Sequence, residues 1–309
     1  MKKIPITDIP GFGIGNAQDL AGGTGCTVIL CKDGAAAGVD VRGGGPATRD
    51  TDLLASKNTV QQVHGIVLGG GSAYGLEAAT GVMKYLSEQG IGLPVTADVR
   101  VPIVVQADIF DLAVGEPVWP DVKMGYEAAK NAESNLFSHG VSGAGTGASV
   151  GKILGPEKAM KSGLGTGAFV QGDLMVGAVV AVNACGEVFE MDSRRKIAGV
   201  LGDVTMEDIM MMNIPAGKNT TIGCVITNGR FTKAEMNKLA SLAQNGLVRT
   251  IHPVNMTMDG DTMFAACSDK VQANLDVAGV LAVYAVAEAV ETAVRSAVGA
   301  YGLKGAADD

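Results

Sequence analysis

Several absences narrow the reading of this 309-residue chain before any motif is considered. Aromatic residues make up only 4% of it, with a single tryptophan, so a core has to be built from Ala, Val, Leu, Ile and Met rather than from rings. Histidine is scarce: His64, His139 and His252 are the only three, and no HExxH or HxH spacing occurs. A histidine-built metal site is therefore not expected, and neither is any other cofactor. The five cysteines, Cys26, Cys31, Cys185, Cys224 and Cys267, form no CxxC pair. Several lie in apolar strand-like runs, which reads as buried free thiols in a reducing compartment. No run of about 18 uninterrupted apolar residues appears, and the start, MKKIPITDIPGFGIG, carries two lysines without a continuous apolar segment behind them. The expectation is a cytoplasmic protein with no membrane partner. Positive charge is also short: 24 Lys and Arg stand against 32 Asp and Glu, a net charge of −8. Only Arg194-Arg195-Lys196 forms a basic cluster, so nucleic acid is not an expected partner.

What is abundant is glycine. The chain has 44, roughly twice the usual share of about 7%, and they follow no three-residue period. With 47% apolar and 18% charged residues the chain is neither disordered nor repetitive, and it is read as one domain spanning residues 1–309. The glycines then serve tight turns and close backbone packing.

Strand-like and helix-like runs alternate. Cys26–Leu30 and Ala36–Val41 read as two strands around a Lys32-Asp33-Gly34 turn. His64–Leu68 reads as a buried strand, followed by Gly69-Gly70-Gly71 and a helix from about Ser72 to Gln89 that Gly90 closes. A second helix covers about Val122–Glu133. The Gly, Ser and Thr of residues 135–167 are interleaved with apolar residues, which predicts ordered loops and short strands rather than a linker. Val176–Asn183 and Glu187–Glu190 look like a hairpin. Met206–Met212 reads as a short helix, and Asn213–Asn219 has turn chemistry. Thr220 opens a strand, Thr232-x-x-Glu235 is a capping box for a helix to about Arg249, Ala265–Ser268 is a strand, and Asp276–Val298 is a long helix, apolar on most faces. Hairpin-like pairs dominate over strand–helix–strand units, so a layered α+β sandwich fits better than a Rossmann sheet.

Four segments carry possible chemistry. Gly69-Gly70-Gly71-Ser72 joins a strand to a helix, where backbone N–H groups bind anions in other proteins. It lacks the Lys-Ser/Thr of a P-loop, and it departs from the GxSxG elbow because Tyr74 stands at the fifth position. Close packing is the plainer reading. Gly163-Leu164-Gly165-Thr166-Gly167 opens no clear helix. Asn219-Thr220-Thr221 is ordinary β-strand composition taken alone. Placed after a turn, however, it suits a self-cleaving bond. A strained turn would present the Asn219 carbonyl to the Thr220 hydroxyl, and an N-to-O acyl shift followed by hydrolysis would free Thr220 as a new N-terminus. Its α-amine, with an ordinary pKa of about 7.7–8, can then act as general base for its own hydroxyl, without a histidine. Asp259-Gly260-Asp261-Thr262 lacks EF-hand spacing. Its carboxylates would be two residues apart on one strand face, where one could hold the Thr220 ammonium.

Blocks in order along most of the chain resemble one family, the DmpA-type L-aminopeptidase/D-esterases and β-peptidyl aminopeptidases. They include ITDIPGFGIGNAQD, HGIVLGGGSAYGLEAATGVMKYL, VPIVVQADIFDL, GAGTGASVGK, GAVVAVNACGEV, NTTIGCVITNG and MDGDTMFA. The resemblance implies an α+β fold in a four-layer αββα sandwich like that of N-terminal-nucleophile hydrolases. It implies self-cleavage, here into residues 1–219 and 220–309. The match to NTTIG makes Thr220 the nucleophile, with Thr221 as the neighbouring alternative. Asn183, in AVNACG, matches the asparagine of the family's oxyanion hole. Asp259 stands where many members carry serine, and Asp261 is the second acid. The resemblance further places Asp108 where members bind the substrate amine and Phe110 where they carry a tyrosine, so one hydroxyl is missing. The implied substrate is a small peptide, amide or ester with a free amine, and the implied assembly is a homo-oligomer, a tetramer of processed units. Three alternatives stay open: acyl transfer of the self-processed ornithine acetyltransferase type, a serine hydrolase using Ser72 with Asp108 and His252, and an unprocessed binding or scaffold protein.

Overall fold

The computed structural model describes residues 1–211 and 219–308. The turn expected over residues 213–218, and the Met212 end of the short helix, lie outside the described residues. Two β-sheets stack face to face, and a pair of helices covers each outer face. One sheet is built from β1 (Gly13–Asp19), the first half of β2 (Thr24–Val41), β3 (Val63–Gly69) and β4 (Val104–Asp108). Helices α1 (Ala78–Glu88) and α2 (Val122–Ala132) lie on it. A two-residue ladder, β5 (Ser149–Val150) with β6 (Met160–Lys161), leads into the second sheet. That sheet contains β7 (Leu164–Gln171), β8 (Leu174–Asn183), β10 (Thr220–Arg230), β12 (Thr262–Gln272) and the second half of β2. Helices α3 (Lys233–Thr250) and α4 (Leu275–Arg295) cover it. In a separate small sheet the short strand β9 (Glu187–Phe189) pairs on one side with β11 (Ile251–His252) and on the other with residues 196–198.

The strands of the second sheet are buried on both faces, which is why they read as continuous apolar runs rather than alternating ones. In β8, Val176, Ala178, Val180 and Val182 point to the helices, whereas Val179 and Ala181 meet the facing sheet. In β12 Ala265 and Cys267 face the helices, while Phe264 and Ala266 join the core between the sheets. The strand period of two assigns each residue to one layer. Small residues let the layers approach closely. A methyl group on Gly165 would come within 2.1 Å of the Ala289 carbonyl oxygen of α4, so a side chain there would force the helix outward. Helix α4 is the one helix among the described residues long and apolar enough to cross a membrane by length and composition, and most of it is buried in the core.

Most elements fall where the sequence placed them. The capping box of α3 is complete: Glu235 N–H donates to Thr232 Oγ1, and Thr232 N–H to Glu235 Oε2 at 2.8 Å. Gly90, with φ +68°, follows α1. Two expectations are corrected. The Lys32-Asp33-Gly34 segment is not a hairpin turn. It is a bulge within one 18-residue strand whose first half pairs with β1 and β3 and whose second half pairs with β12. Gly34, with φ +83°, lets the strand pass from one sheet to the other. Likewise β8 and β9 do not pair. The strand after Ala184-Cys185-Gly186 leaves the large sheet and finds β11 instead.

Candidate active site

Sheet register brings the site together. Strands β8 and β10 are antiparallel with Asn183 opposite Thr220, so the end of one meets the start of the other. Strands β10 and β12 are parallel, joined through α3, with Ile222 opposite Thr262. Parallel pairing puts both strand beginnings at the same sheet edge. The residues just before β12, Asp259-Gly260-Asp261, are thereby set beside Asn219, Thr220 and Thr221, and Asn219 forms an isolated parallel bridge with Asp259.

In the uninterrupted chain the Asn219 carbonyl oxygen accepts two hydrogen bonds. Thr220 Oγ1 donates from 2.6 Å and Gly260 N–H from 2.9 Å. The Asn219 side chain is fully buried, and neither its Oδ1 nor its Nδ2 has a partner among the described residues. Thr220 is almost fully buried as well. Thr221 contributes its backbone N–H, which donates to Asp261 Oδ1 at 2.5 Å, while its own hydroxyl is buried and unpartnered.

The two aspartates lie on the turn before β12 rather than on the strand, so they do not share a strand face as expected. Asp261 also accepts from Asn255 N–H at 2.8 Å, and Asp259 Oδ2 from Met256 N–H at 2.8 Å. Burial pushes the Asp261 carboxyl up to about 7, and the neighbouring Asp259 charge pushes the same way. Burial also raises Asp259, to about 6.

Asn183 is held by its oxygen. Ser149 N–H donates to Oδ1 at 3.1 Å and Lys152 Nζ at 2.7 Å, and Lys152 also reaches the Asn183 backbone carbonyl at 3.1 Å. The amide nitrogen is turned toward the Phe110 carbonyl oxygen, 3.0 Å away. Lys152 was not singled out from the sequence, where it is one lysine at the end of GASVGK. Its signal is purely spatial: burial lowers its ammonium pKa to about 7, against the pull of Asp259 and Asp261.

A cleft of about 600 Å³ opens beside Asn219, lined at its inner end by Asn219, Ser149 and Lys152 and along its walls by residues that include Phe110, Val114, Ile153 and Leu303. Phe110 is thus a cleft residue. Asp108 is not. It is sealed under the Gly69–Gly75 turn, where Gln106 Nε2 donates to its Oδ1 at 2.7 Å and its Oδ2 has no partner. Burial raises its pKa well above the ordinary carboxylate range. This corrects the expectation that Asp108 meets the substrate amine, because strand β4 turns that side chain away from the cleft. Asp111, three residues on, lines the cleft instead.

The remaining sequence candidates are accounted for by packing. The Gly69–Ser72 backbone donors are already taken: Gly70 N–H by Gly25 O, Gly71 N–H by Asp111 Oδ1 and Ser72 N–H by Ile109 O. No anion cradle is left there. Among the described residues Ser72, Asp108 and His252 make no hydrogen bond to one another, and His252 sits opposite Glu187 in the small sheet. Strand β7 absorbs Leu164–Gly167.

Comparison with known proteins agrees with this fold. The chain matches Peptidase family S58 over residues 5–307. It is 36% identical over 300 residues to an uncharacterized aminopeptidase of Mycobacterium leprae, covering 87% of this chain and 79% of the relative. It is 32% identical over 278 residues to the 6-aminohexanoate-oligomer endohydrolase of Paenarthrobacter ureafaciens, covering 85% and 75%. Among solved structures, a Burkholderia sp. beta-aminopeptidase superposes with a TM-score of 0.69 at 20% identity, covering 99% of this chain and 92% of that one. The L-aminopeptidase D-ala-esterase/amidase of Ochrobactrum anthropi, described as a variant of the Ntn hydrolase fold, gives 0.68 at 19% identity, covering 94% and 86%. The four layers are those of that fold, and with the family matched almost end to end and an aminopeptidase among its relatives above 30% identity, this chain belongs to peptidase family S58 and is a hydrolase of the aminopeptidase kind.

Proposed function

We propose that the chain cuts itself between Asn219 and Thr220 and that Thr220 then serves as an N-terminal nucleophile for small amides. The observation that carries this reading is the pair of hydrogen bonds on the Asn219 carbonyl oxygen, from the Thr220 hydroxyl and the Gly260 N–H. Attack of Thr220 Oγ1 on the Asn219 carbonyl carbon places negative charge on that oxygen, where the Gly260 N–H already points. The hydroxyl proton passes to the Thr220 nitrogen as the C–N bond breaks, leaving an ester and a free amine. Water hydrolyses the ester to the Asn219 carboxylate and restores the Thr220 hydroxyl. Asp259 and Asp261 sit within the same turn as Gly260, where a carboxylate can hold or relay the proton of the new amine.

In turnover the roles repeat with a substrate carbonyl in place of Asn219. The Thr220 amine takes the hydroxyl proton, the acyl group moves to Oγ1, and the leaving amine departs protonated before water frees the acid. Asn183, opposite Thr220 and held by Ser149 and Lys152, is the side-chain oxyanion donor once its amide turns from Phe110 O to the substrate. The substrate class is a small amide with a linear, largely apolar acyl part. That matches the apolar cleft walls and the named substrate of the 6-aminohexanoate-oligomer relatives.

Intact mass tests the first half. Purified protein is expected as two pieces of about 22 and 9 kDa, scaled from 219 and 90 residues. The Thr220→Ala variant is expected as a single 31.4 kDa chain without amidase activity. Uncut wild-type protein that still turns over amides would overturn the proposal.

A further inference from the structure

The cleft is polarised along its length. Its inner end, at Asn219 and Ser149, is buried, whereas Ala113, Pro156, Glu157 and Gly302 at its mouth are exposed. The loop joining β5 to β6 forms one wall. The base of this loop supplies Ser149 and Lys152 to Asn183, and its far turn carries Glu157 to the opening.

Carboxylates are distributed unevenly between the two ends. At the inner end Asp111 is buried and accepts one hydrogen bond on each oxygen: Thr24 Oγ1 donates to Oδ2 at 2.8 Å and Gly71 N–H to Oδ1 at 2.6 Å. Asp108 lies outside the cleft lining, and Asp259 and Asp261 are tied to backbone N–H groups behind the nucleophile. Every carboxylate near the inner end is therefore buried and already hydrogen-bonded, and none is exposed to water. At the mouth the opposite holds. Glu157 forms no ion pair among the described residues, and its oxygens fold back over Gly155, where a side chain would collide with them at 2.5 Å. Lys152 is the one cation among the residues lining the cleft, and it is committed to Asn183. The walls between the two ends are mainly apolar, suited to methylene groups.

We infer that Glu157 is a specificity-determining residue that receives the substrate's free ammonium at the mouth, so that the amine must be separated from the scissile carbonyl by an aliphatic spacer. This inference rests on the proposal that Thr220 is the nucleophile. An α-amino substrate would place its ammonium at the buried inner end, beside apolar walls and carboxylates that already accept other donors, and would lose more solvation there than at the mouth. An ω-amino substrate lays its methylenes along the walls and keeps its ammonium half in water against Glu157.

The test uses the processed full-length enzyme and three p-nitroanilides: 6-aminohexanoyl, hexanoyl and alanyl. The wild type is expected to favour the 6-aminohexanoyl substrate over the alanyl one at least tenfold in kcat/KM. Glu157→Gln should raise KM for the 6-aminohexanoyl substrate about threefold to tenfold, a range fitting a partly solvated ion pair, with kcat within twofold and hexanoyl turnover unchanged. Glu157→Lys should raise that KM further and improve a mono-anilide of adipic acid. Equal effects of Glu157→Gln on the amino and amine-free substrates, or a wild-type preference for the alanyl substrate, would overturn the inference. Failure of the Thr220 reading looks different: the wild-type chain stays uncut, whichever of the three it hydrolyses.

Discussion

Gly260 donates its N–H to the Asn219 carbonyl oxygen at 2.9 Å, and the Cα of the same glycine faces the Thr220 hydroxyl so closely that a methyl group there would stand 2.7 Å from Oγ1. In the proposed self-cleavage, one residue would thus supply the donor for the developing oxyanion and leave the Thr220 hydroxyl its space. The backbone of Gly260 has no positive φ, so alanine is conformationally permitted and the cost of Gly260→Ala is steric. We expect this variant to fold, with about 1–3 kcal/mol lost to overpacking. Its self-cleavage should slow more than 100-fold, measured as the fraction of full-length chain over time. Cleavage at the wild-type rate would show that the hydroxyl does not need the position it holds here.

Lys152 should prove more important to chemistry than to stability. Its ammonium is buried and its pKa is lowered to about 7 by desolvation, so replacement by methionine removes an unfavourable buried charge while keeping much of the volume. The melting temperature of Lys152→Met is expected to match or exceed that of the wild type. Asn183 Oδ1, however, keeps only the Ser149 N–H. With its amide no longer fixed, turnover should fall about 10²-fold in kcat, the usual scale for a lost oxyanion contact. A variant with wild-type kcat would leave Lys152 a packing residue.

How far the site could be read from the sequence depended on whether a residue's partners were local. The Thr232–Glu235 capping box and the turn after α1 are legible because both partners lie within a few residues. Asn219-Thr220 could be picked out as a candidate bond, since turn and strand chemistry meet there. The roles of Lys152 and Gly260 depend instead on a parallel strand pair and on a loop folding back beneath Asn183, contacts between residues 31 and 41 positions apart. Asp108 and Asp111 show the limit from the other side. Two residues separate them, both are buried aspartates, and only the curl of the chain after β4 decides that Asp111 lines the cleft while Asp108 is sealed beneath Gly75. The bulge at Gly34 was misread for a similar reason: a change of sheet and a hairpin turn call for the same residues.

Stability should fall as pH rises from about 4.5 to 7. Asp261 has a folded-state pKa of about 7 and Asp259 of about 6, both above the ordinary 3.8. In this window the folded chain holds protons that the unfolded chain has released, so raising pH favours unfolding. The contribution is complete below about 3.8 and is lost as pH passes through the folded values. A single proton of difference gives a slope of about 1.4 kcal/mol per pH unit. Asp261→Asn cannot titrate, so its melting temperature should fall less steeply across the same range. Parallel wild-type and variant curves would mean that Asp261 is already ionised throughout.

Lys161 makes the strongest purely structural prediction. Its side chain is fully buried and its Nζ donates to three backbone carbonyls, Gly145 at 3.2 Å, Ala148 at 2.6 Å and Ser162 at 2.6 Å. These carbonyls belong to the segment leading into Ser149 and to the strand returning from the Glu157 loop, so one ammonium closes the base of the wall that holds Asn183. Methionine in its place would leave Ser162 O without a donor among the described residues, at about 1–3 kcal/mol, while Gly145 O keeps the Ala148 N–H and Ala148 O the Ser162 N–H. Unlike Lys152→Met, Lys161→Met should therefore lower the melting temperature, on the scale of about 1–3 kcal/mol set by leaving a buried carbonyl unsatisfied. Activity should fall with it through a rise in KM, because the cleft wall loosens while Thr220, at the start of β10, and the Asp259–Asp261 turn before the parallel strand β12 keep their positions. Thermal melts and steady-state kinetics on the same preparations separate the two lysines, and a Lys161→Met protein as stable as the wild type would show that the three carbonyls find water instead.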